Sequence, residues 1–344
     1  MGSALVILIV VVGLALAFDY VNGFHDTANA VATVVSTGVL PGRTAVLLAA
    51  VCNFAGAFLS LRVADTIAKG IADPASVTQV VVVAALVGAI AWNLFTWYFG
   101  IPSSSSHALV GGIVGAVWCH RTMGGDPSAS ALWELISSEG VVKTLKALVL
   151  SPLVGMLGGF TLMVILTWLV LPLRPTTVNK SFRVLQLGSA GYMAIAHGAN
   201  DAQKAMGIIF MALGAYAAAH GEAGPAEVPD WVIVSCATAM ALGTAAGGWR
   251  IMKTMGQRII KLRPINGFAA EMAGATTILV AAWQGAPVST THVIASSIMG
   301  VGASKRVSAV RWGVARRMIV AWILTIPISA LVSAGMYAVL RQVL

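Results

Sequence analysis

Charge is scarce in this chain of 344 residues: charged side chains make up 10%, and only 12 are acidic. With 58% hydrophobic residues and a mean hydropathy of +0.88, a soluble globular domain is excluded and a polytopic membrane protein is indicated. Cysteine is scarce too. Cys52, Cys119 and Cys236 show neither CxxC spacing nor an even count, which excludes a disulfide framework. No basic residue precedes the apolar run 4–17, which argues against a cleaved signal peptide despite the Ala15-Leu16-Ala17 ending; the run reads as a retained helix. The net charge of +9 does not call for a nucleic-acid partner, because basic residues flanking apolar spans have a simpler meaning, retention on the cytoplasmic side.

What the chain does have is two short polar motifs, each present twice. The first half carries Gly23-Phe24-His25-Asp26-Thr27-Ala28-Asn29-Ala30 and Ile101-Pro102-Ser103-Ser104-Ser105-Ser106-His107. The second carries Gly198-Ala199-Asn200-Asp201-Ala202-Gln203-Lys204-Ala205 and Ala286-Pro287-Val288-Ser289-Thr290-Thr291-His292. Asp26 matches Asp201 at a spacing of 175, and His107 matches His292 at 185. A carboxylate deep in a bilayer costs on the order of 3 kcal/mol or more, so two at matching places point to a transport site between two repeats.

Apolar stretches run at about 4–21, 27–40, 44–61, 77–99, 104–118 and 143–171, and again at about 184–197, 202–219, 231–249, 266–284, 289–303 and 313–340. A spanning helix needs roughly 20 apolar residues, so the expected fold is an all-α polytopic membrane protein of about 10–12 membrane segments. Most basic residues fall into four places: Arg43; Arg174, Lys180 and Arg183; Arg250, Lys253, Arg258, Lys261 and Arg263; and Lys305, Arg306, Arg311, Arg316 and Arg317. The acids Asp65, Asp73, Asp126, Glu134, Glu139, Glu222, Glu227 and Asp230 occupy the other loops. With the basic loops cytoplasmic, each half makes an odd number of crossings. The expectation is two inverted-topology repeats, 1–172 and 184–344, joined by a cytoplasmic linker at 173–183, with both termini extracytoplasmic. Stretches 4–21 and 27–40 are expected to form one discontinuous helix broken near Asn22–Asp26, 184–197 and 202–219 another, and the serine- and threonine-led stretches to belong to helical hairpins at the midplane.

Ser103–Ser106 and Ser289–Thr291 each follow a proline and open an apolar helix, where Ser and Thr serve as caps and the free first-turn N–H groups attract anions. Two such starts can offer donors to a tetrahedral oxyanion from two sides; taken singly, each run is also explained as capping and small-residue packing. His107 and His292 are donors or titrating groups, or simply hydrogen-bond a neighbouring helix. Asp26 and Asp201 repel anions and need a proton or a hard cation beside them. A buried Lys204 can contact substrate, or its charge can stand in for a bound cation. Asp19 and Glu271 are further intramembrane carboxylates.

On these motifs the chain resembles the inorganic phosphate transporter family, the Pit or Pho4 carriers, whose mark is a duplicated GANDVAN-like motif with a Pro-Ser/Thr-Ser-Thr-His motif downstream of each copy. The resemblance covers nearly the whole chain. It implies a non-enzymatic symporter of inorganic phosphate with inverted repeats, often a homodimer, in contact with membrane lipid. It implies substrate contacts from Thr27, Ser103, Ser104, Ser105, Ser106, His107, Gln203, Lys204, Ser289, Thr290, Thr291 and His292. Coupling-ion contacts fall on Asn22, His25, Asp26, Asn29, Asn200, Asp201 and Glu271. No cofactor and no fixed metal are implied; the cotransported species is a proton, sodium, or Mg2+ carried with phosphate.

Two departures matter. His25 stands where the family has an Asn in the first copy, and Lys204 where it has the last Asn of the second. In sodium-coupled members those asparagines help to build the cation sites. The variants here look most like the low-affinity bacterial Pit carriers, which resemble proton-coupled systems that carry phosphate, often as a neutral divalent metal complex. The absence of a large hydrophilic central loop fits a bacterial plasma-membrane carrier. If sodium is used after all, Asn53, Asp19 and Glu271 are the next candidate ligands. Competing readings are a sulfate permease of the same architecture, separable by uptake competition; a passive channel, disfavoured by several buried charges; and an intramembrane aspartyl protease using Asp26 and Asp201. The protease reading lacks a GxGD-type loop and leaves the Ser/Thr-His motifs without a role.

Overall fold

The computed structural model describes residues 2–70, 77–124, 136–137 and 139–343, and every regular element among them is helical. In chain order these are α1 (Gly2–Ser36), α2 (Gly42–Gly56), α3 (Arg62–Gly70), α4 (Gln79–Tyr98), α5 (Ser105–Met123) and α6 (Glu139–Val170). Then follow α7 (Pro175–Ala219), α8 (Asp230–Ala246), the short α9 (Trp249–Lys253) with a π turn after it, α10 (Pro264–Trp283), α11 (Thr290–Lys305) and α12 (Trp312–Val343). Six of these are long and apolar enough to cross a membrane, seven if α8 and the bent segment after it count as one span. The expected acidic loop residues Asp73, Asp126 and Glu134 lie outside the described residues.

The first expectation to be corrected is the break near Asn22–Asp26. Both α1 and α7 run unbroken through their polar motifs. An uninterrupted helix satisfies every backbone group internally, the strongest demand a bilayer makes, and neither motif contains a proline. The motif glycines serve close packing instead. A Cβ on Gly23 would sit 2.3 Å from the Met240 carbonyl oxygen of α8, and one on Gly198 2.1 Å from the Asn53 carbonyl oxygen of α2. Each acidic-motif helix therefore lies tightly against a short helix of the opposite half. The real discontinuity lies at Gly247-Gly248, where α8 and the segment from Trp249 to Arg258 meet at 60°.

Most of the expected linker 173–183 is helical. Pro175 occupies the first turn of α7, where its missing N–H costs nothing. Residues 175–183 are thus helical, and the connection shrinks to the turn after Val170.

Pairing between halves is reciprocal. The hairpin arm α5 packs chiefly on α12, and α11 packs chiefly on α6. Gly115 lies under the Ala330 backbone and Gly300 under that of Met156, each too close for a side chain. Residues Ser105–Val117 and Thr290–Gly302 are buried all round, as expected of helices apolar on every face. The turns that feed these arms match as well: Gly100 and Gly285 hold φ of +64° and +65°, the left-handed region that glycine enters without strain.

Candidate functional site

The starts of α5 and α11 come together. Ser104 and Ser289 are the N-cap residues, each Oγ accepting from the backbone N–H three residues on, His107 and His292, at 3.2 Å. Ser106 Oγ donates to the Val288 carbonyl at 2.9 Å, tying the first tip to the second. The rings of His107 and His292 lie 4.5 Å apart, and His292 also stacks on Trp322 of α12 at 3.9 Å. Trp322 Nε1 donates to the Pro102 carbonyl at 3.0 Å, so α12 holds both tips.

The motif helices supply the charged groups beside these tips. Asp26 Oδ1 lies 2.5 Å from His25 Nδ1 and accepts from Thr291 Oγ1 at 3.3 Å; its Oδ2 accepts from Ser105 Oγ at 3.5 Å. The far nitrogen of His25 lies 3.2 Å from Thr96 Oγ1 and 3.4 Å from Ser103 Oγ. Asp201 Oδ1 pairs with Lys204 Nζ at 2.7 Å, one helical turn on. Its Oδ2 accepts from Thr290 Oγ1 at 3.2 Å, lies 3.4 Å from His197 Nε2, and is met by Asn22 Nδ2 at 3.5 Å. Asn29 Nδ2 donates to Thr290 and Thr291 at 3.2 and 2.9 Å. Asp26, Asp201, His25 and Lys204 are all buried. The two carboxylates belong to one site: ligating atoms of Asp26, His197 and Asp201 all lie within 4.8 Å of one another.

Two kinds of unpartnered atom sit in this group. Among the described residues, His107 Nδ1 and His292 Nε2 have no hydrogen-bond partner, and neither do the amide oxygens of Asn22, Asn29 and Asn200. Buried polar atoms are normally paired, so orphan ring nitrogens suit an oxyanion and orphan amide oxygens suit a cation. The gross attraction of the Lys204–Asp201 pair is about 6 kcal/mol at an effective dielectric of 20. That pair already neutralises one carboxylate with a cation of the chain itself.

Some expected residues are turned elsewhere. Gln203, two positions from Asp201 and so on the other side of α7, accepts from the N–H groups of Val63 and Ala64 and caps α3. Thr27 donates to the carbonyls of Gly23 and Thr244. Asn200 Nδ2 donates to the Ala286 carbonyl, at 3.4 Å, just before the second tip. Glu271 lies in a separate buried cluster with Thr33, Gln186 and Ser189, a turn beyond Asn29 along α1. Three residues outside the expected set enter the site or its support. His197 lies four residues before Asp201 on the same helix face, a spacing that was there to be used. Thr96 and Trp322 carry no motif and are brought in only by tertiary packing. Asp19, already a candidate carboxylate, is fully buried and has no hydrogen-bond partner among the described residues.

Comparison with known proteins fits this geometry. The model of the phosphate transporter family matches residues 22–333. A probable low-affinity inorganic phosphate transporter of Bacillus subtilis (strain 168) is 49% identical over 345 residues, covering 100% of both chains. One of Rhizobium meliloti (strain 1021), of the same description, is 49% identical over 332 residues and covers 96% of each. Among solved structures, one described as the sodium-dependent phosphate transporter superposes with a TM-score of 0.82 at 25% identity, covering 98% of this chain and 100% of that one. The chain belongs to the phosphate transporter family and is a multi-pass membrane transporter, not an enzyme.

Proposed function

We propose that this chain is a secondary active symporter that couples inorganic phosphate to protons. The anion sits between the capped starts of α5 and α11, and the coupling chemistry is carried by Asp26 and Asp201. One observation carries the proton reading: each aspartate already has a nitrogen partner from its own helix, His25 at 2.5 Å and Lys204 at 2.7 Å. An ammonium cannot ligate sodium and repels it at short range. Histidine is the side-chain type whose ordinary charge change falls closest to neutral pH. From Asp26 the contacts continue through His25 to Thr96 and Ser103, which lie 2.8 Å apart, so a proton on this pair is held beside the first tip. The hydroxyls of Ser103, Ser105, Thr290 and Thr291, with the rings of His107 and His292, are the donors for the oxyanion.

The test is uptake into proteoliposomes with imposed proton or sodium gradients, with and without magnesium. Uptake should collapse with a protonophore and persist when choline replaces sodium. A requirement for magnesium would identify the metal–phosphate complex as the species moved, and excess sulfate should compete poorly. Sodium coupling is the second reading. It is favoured by the close set Asp26, His197 and Asp201 and by the likeness to a transporter described as sodium-dependent. Uptake that needs sodium and ignores the proton gradient establishes it. The same reading places the protein in a bacterial plasma membrane as a homodimer with both termini extracytoplasmic; cysteine labelling from one side checks the termini.

A further inference from the structure

Two grooves open on the outer face of the molecule at related places, one between α4 and α12 and one between α10 and α6. On the α4 and α10 sides they match position by position at the spacing of 185: Trp92 answers to Thr277, and Phe95 to Val280. They differ in charge. The first, about 1000 Å³, is walled by Trp92 and Phe95 of α4 and by Val320, Leu324 and Val332 of α12, and is closed at one end by Arg316 and Arg317. The second, about 670 Å³, is lined by no charged side chain; Lys143 and Lys146 of α6 lie outside it.

We propose that the groove between α4 and α12 binds one anionic phospholipid, its acyl chain along the apolar wall and its headgroup phosphate on Arg316 and Arg317. Phe95, Val320, Leu324 and Val332 are exposed, which in a membrane means contact with lipid chains. Both arginines are exposed, and neither has an ion pair or hydrogen bond among the described residues. Guanidinium groups match a phosphate by paired N–H donors, with more geometric specificity than a lysine offers. Fifteen residues separate Arg317 from Val332, about 22 Å along a helix. That exceeds the half-thickness of a hydrocarbon core of about 30 Å, so one acyl chain fits along the wall below its headgroup. The arginines stand at the basic end of α12, the side expected to face the cytoplasm, where anionic lipids concentrate. The groove reaches Thr96, whose hydroxyl touches His25, so a lipid here adjoins the back wall of the transport site.

The probes are phosphatidylglycerol and phosphatidylcholine with identical acyl chains, added to the purified full-length protein. Retained lipid is read by native mass spectrometry and stability by thermal unfolding. The unaltered protein should prefer phosphatidylglycerol by roughly 30-fold, the effect of two basic side chains near a surface, and the preference should shrink with salt. R316Q with R317Q should abolish the preference while phosphate uptake in neutral liposomes stays intact. Leu150→Ala in the second groove should leave it unchanged. An equal preference in the double variant overturns the proposal. So does efficient Val320→Cys cross-linking between two copies in the bilayer, in a background lacking the three native cysteines, because the groove would then hold a second copy of the chain.

Discussion

The two acidic motifs place the same aspartate in different company. Asp26 has a histidine beside it in sequence and against it in space, and that histidine leads on to Thr96 and Ser103. Asp201 has a lysine one turn ahead, a histidine one turn behind, and no such lead to the first tip. The two neighbours differ in kind: an imidazole can donate or accept a hydrogen bond, whereas an ammonium only donates. On the proton-coupled reading proposed above, the first copy is the one that changes charge and the second the one that holds it. Each half has a packing glycine in its acidic motif, Gly23 and Gly198, and a capping serine, Ser104 and Ser289, while the charged groups beside the aspartates differ.

The sharpest way to break the comparison is to remove each carboxylate. Asp26→Asn and Asp201→Asn are both expected to abolish accumulation of phosphate in proteoliposomes. They should differ in stability. Asp201→Asn leaves Lys204 buried without its partner, and breaking a buried pair costs about 3–5 kcal/mol. Asp26→Asn leaves His25 with its contacts to Thr96 and Ser103 in place. Thermal unfolding of the purified variants should show a clearly larger loss for Asp201→Asn. Equal losses, or normal gradient-driven uptake in either variant, contradict the division of roles.

Next in size is the pair of tips. Ser105→Ala with Thr290→Ala removes one of the proposed donor hydroxyls from each half. Hydrogen bonds to a charged group contribute about 1.5–3 kcal/mol each, so the apparent KM should rise on the order of 100-fold. The single variants should each give about the square root of that. An unchanged KM in the double variant removes the anion from this place.

Much of this architecture was legible in the chain because its signals are local. Pro102 and Pro287 followed by Ser and Thr announce capped helix starts, and the apolar periodicity between basic loops announces the membrane. The duplicated aspartates could be read as one site because they repeat in register. The expected break at Asn22–Asp26 went wrong for a physical reason: polar residues in an oily helix signal function, not necessarily an interrupted backbone, and Gly23 serves the contact with Met240. Gln203 points away from the tips because two residues along a helix turn a side chain to the far side. Trp322 and Thr96 were out of reach, since nothing in their neighbourhoods shows that α12 and α4 will close on the tips.

A smaller and more discriminating change is Lys204→Asn, which exchanges the fixed cation for side-chain oxygen. Asp201 is then free to take a hard cation with Asn22 and Asn200 nearby. Uptake should become stimulated several-fold by sodium, on the order of the 1–2 kcal/mol that a new ligand contributes, and its dependence on the proton gradient should weaken. His25→Asn alone should lose proton-driven uptake without gaining sodium dependence, because Lys204 still guards the second carboxylate. Sodium stimulation in His25→Asn but not in Lys204→Asn would reverse the assignment of the two copies.

The smallest effect tests where the site ends. Gln203 lies between Asp201 and Lys204 in sequence, and a reading by proximity alone would give it substrate. Its side-chain oxygen instead caps α3 through Val63 and Ala64 at 2.8 and 3.1 Å. Gln203→Ala should therefore cost about 1 kcal/mol of stability, the usual loss of a helix cap, and leave the KM for phosphate within about twofold. If Gln203→Ala instead raises KM about as much as the tip variants while leaving unfolding untouched, the substrate reaches further along α7 than the contacts of Asp201 and Lys204 place it.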